Sequence, residues 1–294
     1  DQRYPIKFIL SGSASLDIRE KIKEPLTGRK FEFYLPPLTI GEIMRFNNFD
    51  LAKVSGPFAA LDNALSEYLI FGGYPAVILL PNLEEKRRKL KEIAESYILK
   101  DLTELFDIKD RENLKLTGSF LGENIGGILS KEGVSQLTAL SKYELEKCLA
   151  ALEKGFVVSL IRPFFRNRTK ELVHRPKIYF EDNGIRNALL NKLDAVATVA
   201  DQGQLFENTV FIHLKSRFGQ NNIKFWRTNN QTEVDFVVEN NGRLLAFEAK
   251  SSWSKSSLPR NLVSFQREYS SEIKEVSVIT RENFFMLLKP LPPI

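Results

Sequence analysis

The chain has 294 residues, 43% of them hydrophobic, with 42 Lys and Arg residues against 37 Asp and Glu residues and a net charge of +5. This length is typical of two or three domains, and the mildly basic balance permits a nucleic-acid partner without requiring one. The single cysteine, Cys148, excludes an intrachain disulfide and a cysteine-rich zinc site. No apolar run approaches the roughly 18 residues of a membrane span, so we expect a soluble, cytoplasmic protein with no membrane partner.

The first fifty residues predict part of an α/β unit. Residues Lys7 to Leu10 form a short buried strand, which runs through a Ser/Gly turn into a helix. No parallel strand precedes it, so a further portion is expected before residue 1. Further along, the glycines at Gly72 and Gly73 predict a turn that Pro75 fixes, and the apolar spacing from Leu83 predicts a long amphipathic helix.

Residues 111–175 predict three helices followed by a β-hairpin, the order of a winged helix. Ser141 caps the third helix, and Glu144 completes a capping box. In the hairpin, strands over 157–164 and 171–180 flank a turn at 165–170. Five basic side chains on this wing would contact phosphates if the domain binds DNA: Arg162, Arg166, Arg168, Lys170 and Arg175.

A protein-packing winged helix is the alternative. The third helix would enter the major groove in a DNA-binding domain. It carries Tyr143, Glu144, Glu146 and Glu153, however, which make an acidic and poor recognition helix. The sequence leaves both interpretations open.

From residue 176 onward strands alternate with helices, which predicts an α/β core with helices on both faces. A helix carries Glu207, one strand carries Asp235, and the next strand carries Glu248 with Lys250 two residues later. Residues two apart on a strand point to the same face, so Glu248 and Lys250 lie side by side.

These four side chains suit Mg²⁺-dependent hydrolysis of a phosphodiester. Mg²⁺ is held by one or two carboxylates with water and phosphate, and we expect Asp235 and Glu248 to be its ligands, with the carbonyl of Ala249 as a third. Lys250 would orient the attacking water or offset transition-state charge. Glu207, from the preceding helix, would support the site by binding a second metal ion or by hydrogen-bonding a metal-bound water. The competing interpretation is an ordinary same-face ion pair between Glu248 and Lys250.

The remaining candidates favour structural roles. Cys148 lies on the apolar side of a predicted helix and reads as a core thiol. His174 and His213 are too distant in sequence to indicate a triad or zinc site. Trp226 and Trp253 flank the predicted cleft and would stack bases if they were exposed, although buried aromatic residues are commoner in sheets.

The order of the acidic residues resembles the PD-(D/E)XK nuclease superfamily. The resemblance rests on Glu207, on the EVDFVV run around Asp235, and on FEAK from Phe247 to Lys250. The LVSFQREY helix also looks like the Gln/Tyr helix of the branch that contains RecB-type nucleases. That branch has three residues between Gln and Tyr, whereas Gln266 and Tyr269 have two between them.

A longer resemblance covers nearly the whole chain. The chain is similar to bacterial and archaeal AAA+ ATPases that carry a C-terminal domain of unknown function with a PD-(D/E)XK-like fold. The matching segments are KFILSGSASL, LTGRKFEFYLPPLTIGE, EYLIFGGYPAVIL, FRNRTKELVHRPKIYFEDNGIRNALL, LFEN, FWRTNNQTEVDFVV and FEAKSS. The resemblance implies that KFILSGS ends in the sensor-1 region and that Arg29 faces a nucleotide or a neighbouring subunit.

The implied fold class is α/β and α+β multidomain. The expected divisions are an AAA+ remnant over residues 1–50, a helical linker over 51–110, the winged helix over 111–175, and the PD-(D/E)XK-like core over 176–294. No G-x-x-x-x-G-K-[ST] motif or Walker B strand occurs, so we expect no ATP hydrolysis by this chain and an ATP cofactor only in a full-length parent.

Two functions follow from this interpretation. The leading hypothesis is DNA binding or Mg²⁺-dependent phosphodiester hydrolysis by the C-terminal domain. The alternative is a non-catalytic interaction or regulatory module, which would bind a protein partner or self-associate through the AAA+ portion.

Overall fold

The computed structural model describes residues 9, 31, 33–53, 56, 59–193, 199–255 and 257–288, which form a mixed α/β structure with two small sheets. Apart from Ile9, the strand expected at Lys7 to Leu10 lies outside the described residues, and so does Arg29, which the resemblance implied to face a nucleotide or a neighbouring subunit. Within the described ranges, no helix combines the length and the apolar character needed to cross a membrane.

Three short helices open the described part of the chain: α1 (Ile40–Phe46), α2 (Ala59–Phe71) and α3 (Pro75–Ile78). The turn between α2 and α3 confirms the one predicted at Gly72 and Gly73. Gly72 has a φ of 67°, in the left-handed region that favours glycine. At Gly73 the backbone approaches another segment closely, because the N–H of Leu38 donates to the Gly73 carbonyl over 2.8 Å.

The long amphipathic helix predicted from Leu83 is present. It begins as α4 (Leu83–Ile93), continues as a π-helix over Ala94–Asp101 and ends as α5 (Leu102–Leu105). Four of its buried side chains recur every four residues: Leu90, Ala94, Ile98 and Leu102. This stripe packs into the core of the helical part of the molecule.

Three more helices and a two-stranded antiparallel sheet follow: α6 (Arg111–Glu123), α7 (Lys131–Thr138), α8 (Lys142–Lys154), β1 (Val158–Ile161) and β2 (Lys177–Phe180). This is the predicted order of elements. Ser141 and Glu144 form the predicted capping box at the start of α8, and Cys148 is buried as a core thiol.

The predicted hairpin needs one correction. The strand expected over 171–180 begins only at Lys177, and a short helix, α9 (Arg168–Val173), replaces the expected tight turn. Asn167 explains this helix, because its side-chain oxygen accepts the N–H of Thr169 over 2.9 Å and starts the first turn. The connection between β1 and β2 therefore contains a short helix and is not the tight turn of a β-hairpin.

The second half of the molecule contains α10 (Asn183–Leu189), α11 (Val199–Phe218), β3 (Ile223–Arg227), β4 (Glu233–Asn240), β5 (Arg243–Ala249), α12 (Arg260–Glu268), β6 (Ile273–Ile279) and α13 (Phe285–Leu288). The sheet order is β3-β4-β5-β6. The first three strands form an antiparallel meander, and α12 carries the chain over to β6, which pairs with β5 in parallel.

Helices cover both faces of this sheet, as predicted. Phe236 and Phe247 pack with apolar residues of α11, whereas Val237 and Ala246 pack with Phe265 of α12. Side chains alternate between faces along each strand, so these two sets belong to opposite faces. The four-stranded sheet is also joined to the segment that follows β1, because the Phe164 N–H donates to the Phe225 carbonyl of β3 over 2.5 Å.

His213 connects α11 to the start of α1 through a hydrogen bond, and its burial makes the stability of the protein depend on pH. Its Nε2 accepts the N–H of Ile40 over 3.1 Å, and Nδ1 lies 2.8 Å from the Thr209 carbonyl, so the neutral tautomer carries its proton on Nδ1. Burial lowers the pKa of His213 from its ordinary 6.5 to about 4. Between these values the unfolded chain binds a proton that folded His213 does not, so stability falls as the pH drops from 6.5 towards 4.

We expect His213→Gln to remove this dependence, since an amide can accept from Ile40 and donate to Thr209. The loss of unfolding free energy between pH 7 and pH 4.5 should be about 2 to 3 kcal/mol smaller in the variant. Urea denaturation at both pH values measures it, and other titrating groups cancel because both proteins share them. Equal losses in the two proteins would show that His213 does not titrate as described.

Candidate functional site

Asp235 and Glu248 face each other across neighbouring strands. Phe236 pairs with Phe247 in the antiparallel β4–β5 ladder, which places Asp235 opposite Glu248 at the end where β4 begins and β5 finishes. Both carboxylates are buried. The Ala249 N–H donates to Oδ2 of Asp235 over 3.0 Å, which fixes the orientation of that side chain.

Lys250 lies at the open side of this pair. Its Nζ is 2.8 Å from Oε1 of Glu248, and 42% of its side chain is exposed. Burial lowers the pKa of Lys250, but its hydrogen bond with Glu248 and the nearby carboxylates outweigh burial and raise the pKa above its usual range. Lys250 is therefore a charged group that solvent, or a bound molecule, can reach.

Glu207 reaches the same place from α11. Its Oε1 accepts the hydroxyl of Tyr179 over 2.6 Å. Burial, followed by repulsion from Asp235, raises the pKa of Glu207 to about 7. The same two causes raise the pKa of Glu248. The carboxylates are thus close enough to repel one another, and the structure brings together all four residues that the sequence singled out.

A buried lysine that sequence reasoning missed lies among these carboxylates. Nζ of Lys177, the first residue of β2, is 2.6 Å from Glu233, 3.6 Å from Glu207 and 3.7 Å from Asp235, and its side chain is 2% exposed. Burial lowers the pKa of Lys177, but attraction to Glu207, Asp235 and Glu233 outweighs it, so the pKa is raised and the lysine stays charged. We call Glu207, Glu233, Asp235 and Glu248, with Lys177 and Lys250, the acidic centre.

Asn261 is the second residue that the sequence did not reveal. Its Nδ2 donates to Oε2 of Glu248 over 2.7 Å and to the Glu233 carbonyl over 2.6 Å. Asn261 lies in the first turn of α12, the helix compared above with a Gln/Tyr helix. Tyr269 instead packs in the core against Phe265, and Gln266 is exposed.

A pattern in the sequence pointed towards Lys177. The residue opens the buried run KIYF, just as Asp235 lies at the start of one buried run and Glu248 at the end of another. Charged residues at the ends of buried strands mark a polar site where those ends meet. What the sequence lacked was the side-chain packing that brings β2 of the small sheet against β4 of the larger one.

Asp235 and Glu248 are two neighbouring carboxylates, which offer oxygen donors of the kind that a divalent cation binds, although both Glu248 oxygens also have protein partners. Mg²⁺ is commonly held by one or two carboxylates with water and phosphate completing its coordination. Asp235 uses Oδ2 for the Ala249 N–H, while its Oδ1 lies 3.7 Å from Lys177, beyond hydrogen-bond distance. In the part of the chain that the structure describes, no group of three or more His, Cys, Asp and Glu residues is arranged to hold a metal.

The basic residues predicted for the wing contact other parts of the protein. Arg162 donates to the Leu172 carbonyl over 3.1 Å, Arg166 pairs with Glu272 and lies over the Tyr269 ring, and Arg175 is 3.1 Å from Glu132. All three are exposed. Arg168 and Lys170 belong to α9.

The two tryptophans and His174 have structural surroundings. Trp226 is buried against Phe265, with 5.3 Å between ring centroids. Trp253 is half-buried, and its Nε1–H donates to the Ser257 carbonyl over 3.3 Å. His174 is exposed and lies against Phe165. None of these observations calls for a chemical role.

Two family models match the chain, and both describe domains of unknown function. Residues 62–196 match the domain of unknown function DUF8612, and residues 202–289 match the domain of unknown function DUF4143. The second range contains every carboxylate of the acidic centre, whereas Lys177 belongs to the first. The models assign no activity to either range.

The chain is also similar to curated proteins of archaea and bacteria. An uncharacterized protein of Methanocaldococcus jannaschii is 26% identical over 239 residues, which are 79% of this chain and 52% of the relative. An uncharacterized protein of Mycobacterium tuberculosis is 25% identical over 248 residues, 84% of this chain and 52% of the relative. The chain therefore spans about half the length of these relatives. No solved structure matches it.

Proposed function

We propose that the acidic centre binds a Mg²⁺ ion between Asp235 and Glu248 and hydrolyses a phosphodiester bond of DNA. The observation that carries the proposal is the convergence of Glu207, Asp235 and Glu248 beside the partly exposed Lys250. Buried carboxylates that repel one another favour an added cation, and the exposed lysine gives an anionic substrate a place to approach.

Each side chain has a defined task in this proposal. Asp235 and Glu248 would hold the ion, whose chemistry would be to polarise the phosphate and lower the pKa of a bound water. Ala249 and Asn261 fix the orientation of the two carboxylates through their hydrogen bonds. Lys250 orients the attacking water or offsets the charge that develops on the phosphate.

DNA is the proposed polymer because the chain carries a positive net charge and the β1–β2 segment presents exposed arginines. The arginines already have protein partners, so phosphates would have to compete with Glu132 for Arg175 and with Glu272 for Arg166. Contact with phosphates would make DNA affinity fall steeply with salt, since counterion release sets that slope. A flat salt response would remove the arginines from the proposal.

A non-catalytic interaction module is the second candidate, and the position of Lys177 favours it. Its ammonium already supplies positive charge to Glu207, Glu233 and Asp235. A cluster neutralised within the protein needs no external ion, and its hydrogen bonds would then serve only to hold β2, β4 and α11 together. In this case the chain would act through a protein partner.

The two candidates differ in a plasmid-nicking assay with Mg²⁺ or Mn²⁺. We expect wild-type protein to nick supercoiled DNA and Glu248→Gln to reduce the rate on the order of 100-fold or more, because the variant loses a charged ligand. Glu239→Gln is the matched control, since Glu239 is an exposed carboxylate further along β4. Absence of nicking by the wild type, or equal rates in both variants, would favour the interaction module.

An AAA+ context remains part of the proposal. It is supported by the resemblance of the chain and not by the matched family models, which describe domains of unknown function. ATP chemistry is not proposed for this chain, because the sequence has no Walker A motif. If an ATPase half accompanies the chain in a longer protein, it would supply ATP binding and self-association.

A further inference from the structure

Lys177 divides the acidic centre into two parts. On one side Asp235 and Glu248 face each other across the β4–β5 ladder. On the other side Glu207, Glu233 and Asp235 surround the Lys177 ammonium at 3.6, 2.6 and 3.7 Å. Asp235 belongs to both parts. The lysine is therefore placed within the carboxylate cluster and not at its rim.

The ammonium lies among the carboxylates that a second metal ion would use. In centres with two metal ions, the ions lie about 3.5 to 4 Å apart. Glu207 and Asp235 are the carboxylates that would hold such an ion here, and Lys177 already contacts both. A lysine ammonium is a compact point charge with three donors, so it can neutralise several oxygens at once.

The surroundings of Lys177 hold it in place. Its side chain is buried, and its Nζ lies 5.6 Å from the centroid of the Phe225 ring on β3. Its backbone belongs to the β1–β2 ladder, where it pairs with Ile161, and it also forms a bridge with Ile128. Withdrawing the ammonium would require the start of β2 to separate from both neighbours.

We infer that the Lys177 ammonium is the resident cation of the Glu207, Glu233 and Asp235 cluster and fills the place of a second divalent ion, so that the centre takes one metal ion rather than two. For the ion held by Asp235 and Glu248, this inference rests on the proposed function. It also makes the site composite, because the lysine comes from residues 62–196 and the carboxylates come from residues 202–289.

Counting bound Mn²⁺ tests the inference without any measurement of activity. Isothermal titration calorimetry and electron paramagnetic resonance both give the number of ions per chain in the intact protein. We expect one ion in the wild type and two in Lys177→Met, because removal of the ammonium opens the second place. Lys86→Met is the matched control, since Lys86 is also a buried lysine with a glutamate partner, Glu67, and this variant should bind one ion.

A second variant guards against unfolding of Lys177→Met. Lys177→Gln combined with Glu233→Gln removes one positive and one negative group together, which keeps the net charge of the centre unchanged. Glu207 and Asp235 would then lack their cation, and we again expect two ions. The paired variant is also expected to unfold at a lower temperature without Mn²⁺ and to regain stability when Mn²⁺ is added.

The possible results separate this inference from the proposed function. Two ions in the wild type, or equal numbers in wild type and Lys177 variants, overturn the inference while a metal-binding wild type still supports the proposed function. No ion in the wild type together with binding in the Lys177 variants supports the resident cation and overturns the proposed function. No binding in any of these proteins overturns both.

Discussion

Replacing Arg186 with Met is expected to lower the free energy of unfolding by about 3 to 5 kcal/mol, the range typical of removing one partner of a buried ion pair. Arg186 is fully buried in α10. Its guanidinium donates to Oδ1 of Asp201 over 2.5 Å, to the Gly122 carbonyl over 2.9 Å and to Oδ1 of Asn187 over 3.0 Å. Methionine fills a similar volume but leaves the buried Asp201 carboxylate without this charge.

The matched control is Arg281→Met. Arg281 also donates to an aspartate, with Oδ1 of Asp62 at 2.8 Å, but this pair lies at the surface. Exposed ion pairs contribute about 0 to 1 kcal/mol, so the control should change stability little. Chemical denaturation at pH 7 measures both variants. Similar small losses in the two would contradict the role given to Arg186 as the polar link between α6, α10 and the start of α11.

Gly73→Ala is expected to cost about 3 kcal/mol or more, because overpacking and the loss of buried hydrogen bonds act together. A Cβ at Gly73 would lie 1.9 Å from the Leu38 carbonyl oxygen, which belongs to the backbone and cannot rotate away. The resulting shift would also strain the bond from the Gly73 N–H to Oδ2 of Asp182, now 2.6 Å long. Asp182 caps α10, so the damage would spread to that helix.

Gly203→Ala is expected to have the opposite effect, a gain in stability. Gly203 lies within α11, and a Cβ there would meet nothing within 4 Å. Alanine in an open helical position should stabilise the protein by about 0.5 to 1 kcal/mol. Thermal and chemical unfolding of the two variants should therefore differ in sign. A Gly73→Ala protein as stable as the wild type would refute the close approach between Leu38 and the turn.

Much of the acidic centre was predictable because local rules determine it. Strand alternation placed Glu248 and Lys250 on one face, and two adjacent buried runs brought Asp235 next to Glu248. Ser141 and Glu144 correctly predicted the start of α8, because a capping box depends on only four neighbouring residues. The layering of α11 and α12 on opposite faces followed from the alternation of helices and strands.

The features that were missed depend on contacts between distant segments. Lys177 meets Asp235 only because β2 packs beside β4, and 58 positions separate the two residues in the sequence. Asn261 reaches Glu248 from the first turn of α12. The sequence drew attention instead to Tyr269 at the end of this helix, which is a core residue. The α9 helix depends on the Asn167 cap, which lies in the stretch expected to be a tight turn, and the helix continues into the expected strand.

The central claim is that the acidic centre is a metal site. Its most direct test is to measure Mn²⁺ binding to wild-type protein and to Asp235→Asn by calorimetry at pH 7.5. Asparagine keeps the size of the side chain and an oxygen that can accept the Ala249 N–H, so the fold should survive the change. We expect one ion per wild-type chain and no measurable binding in Asp235→Asn, with Glu239→Gln behaving as the wild type. Wild-type protein that binds no Mn²⁺, or Asp235→Asn that binds it equally well, would contradict the claim that the acidic centre is a metal site.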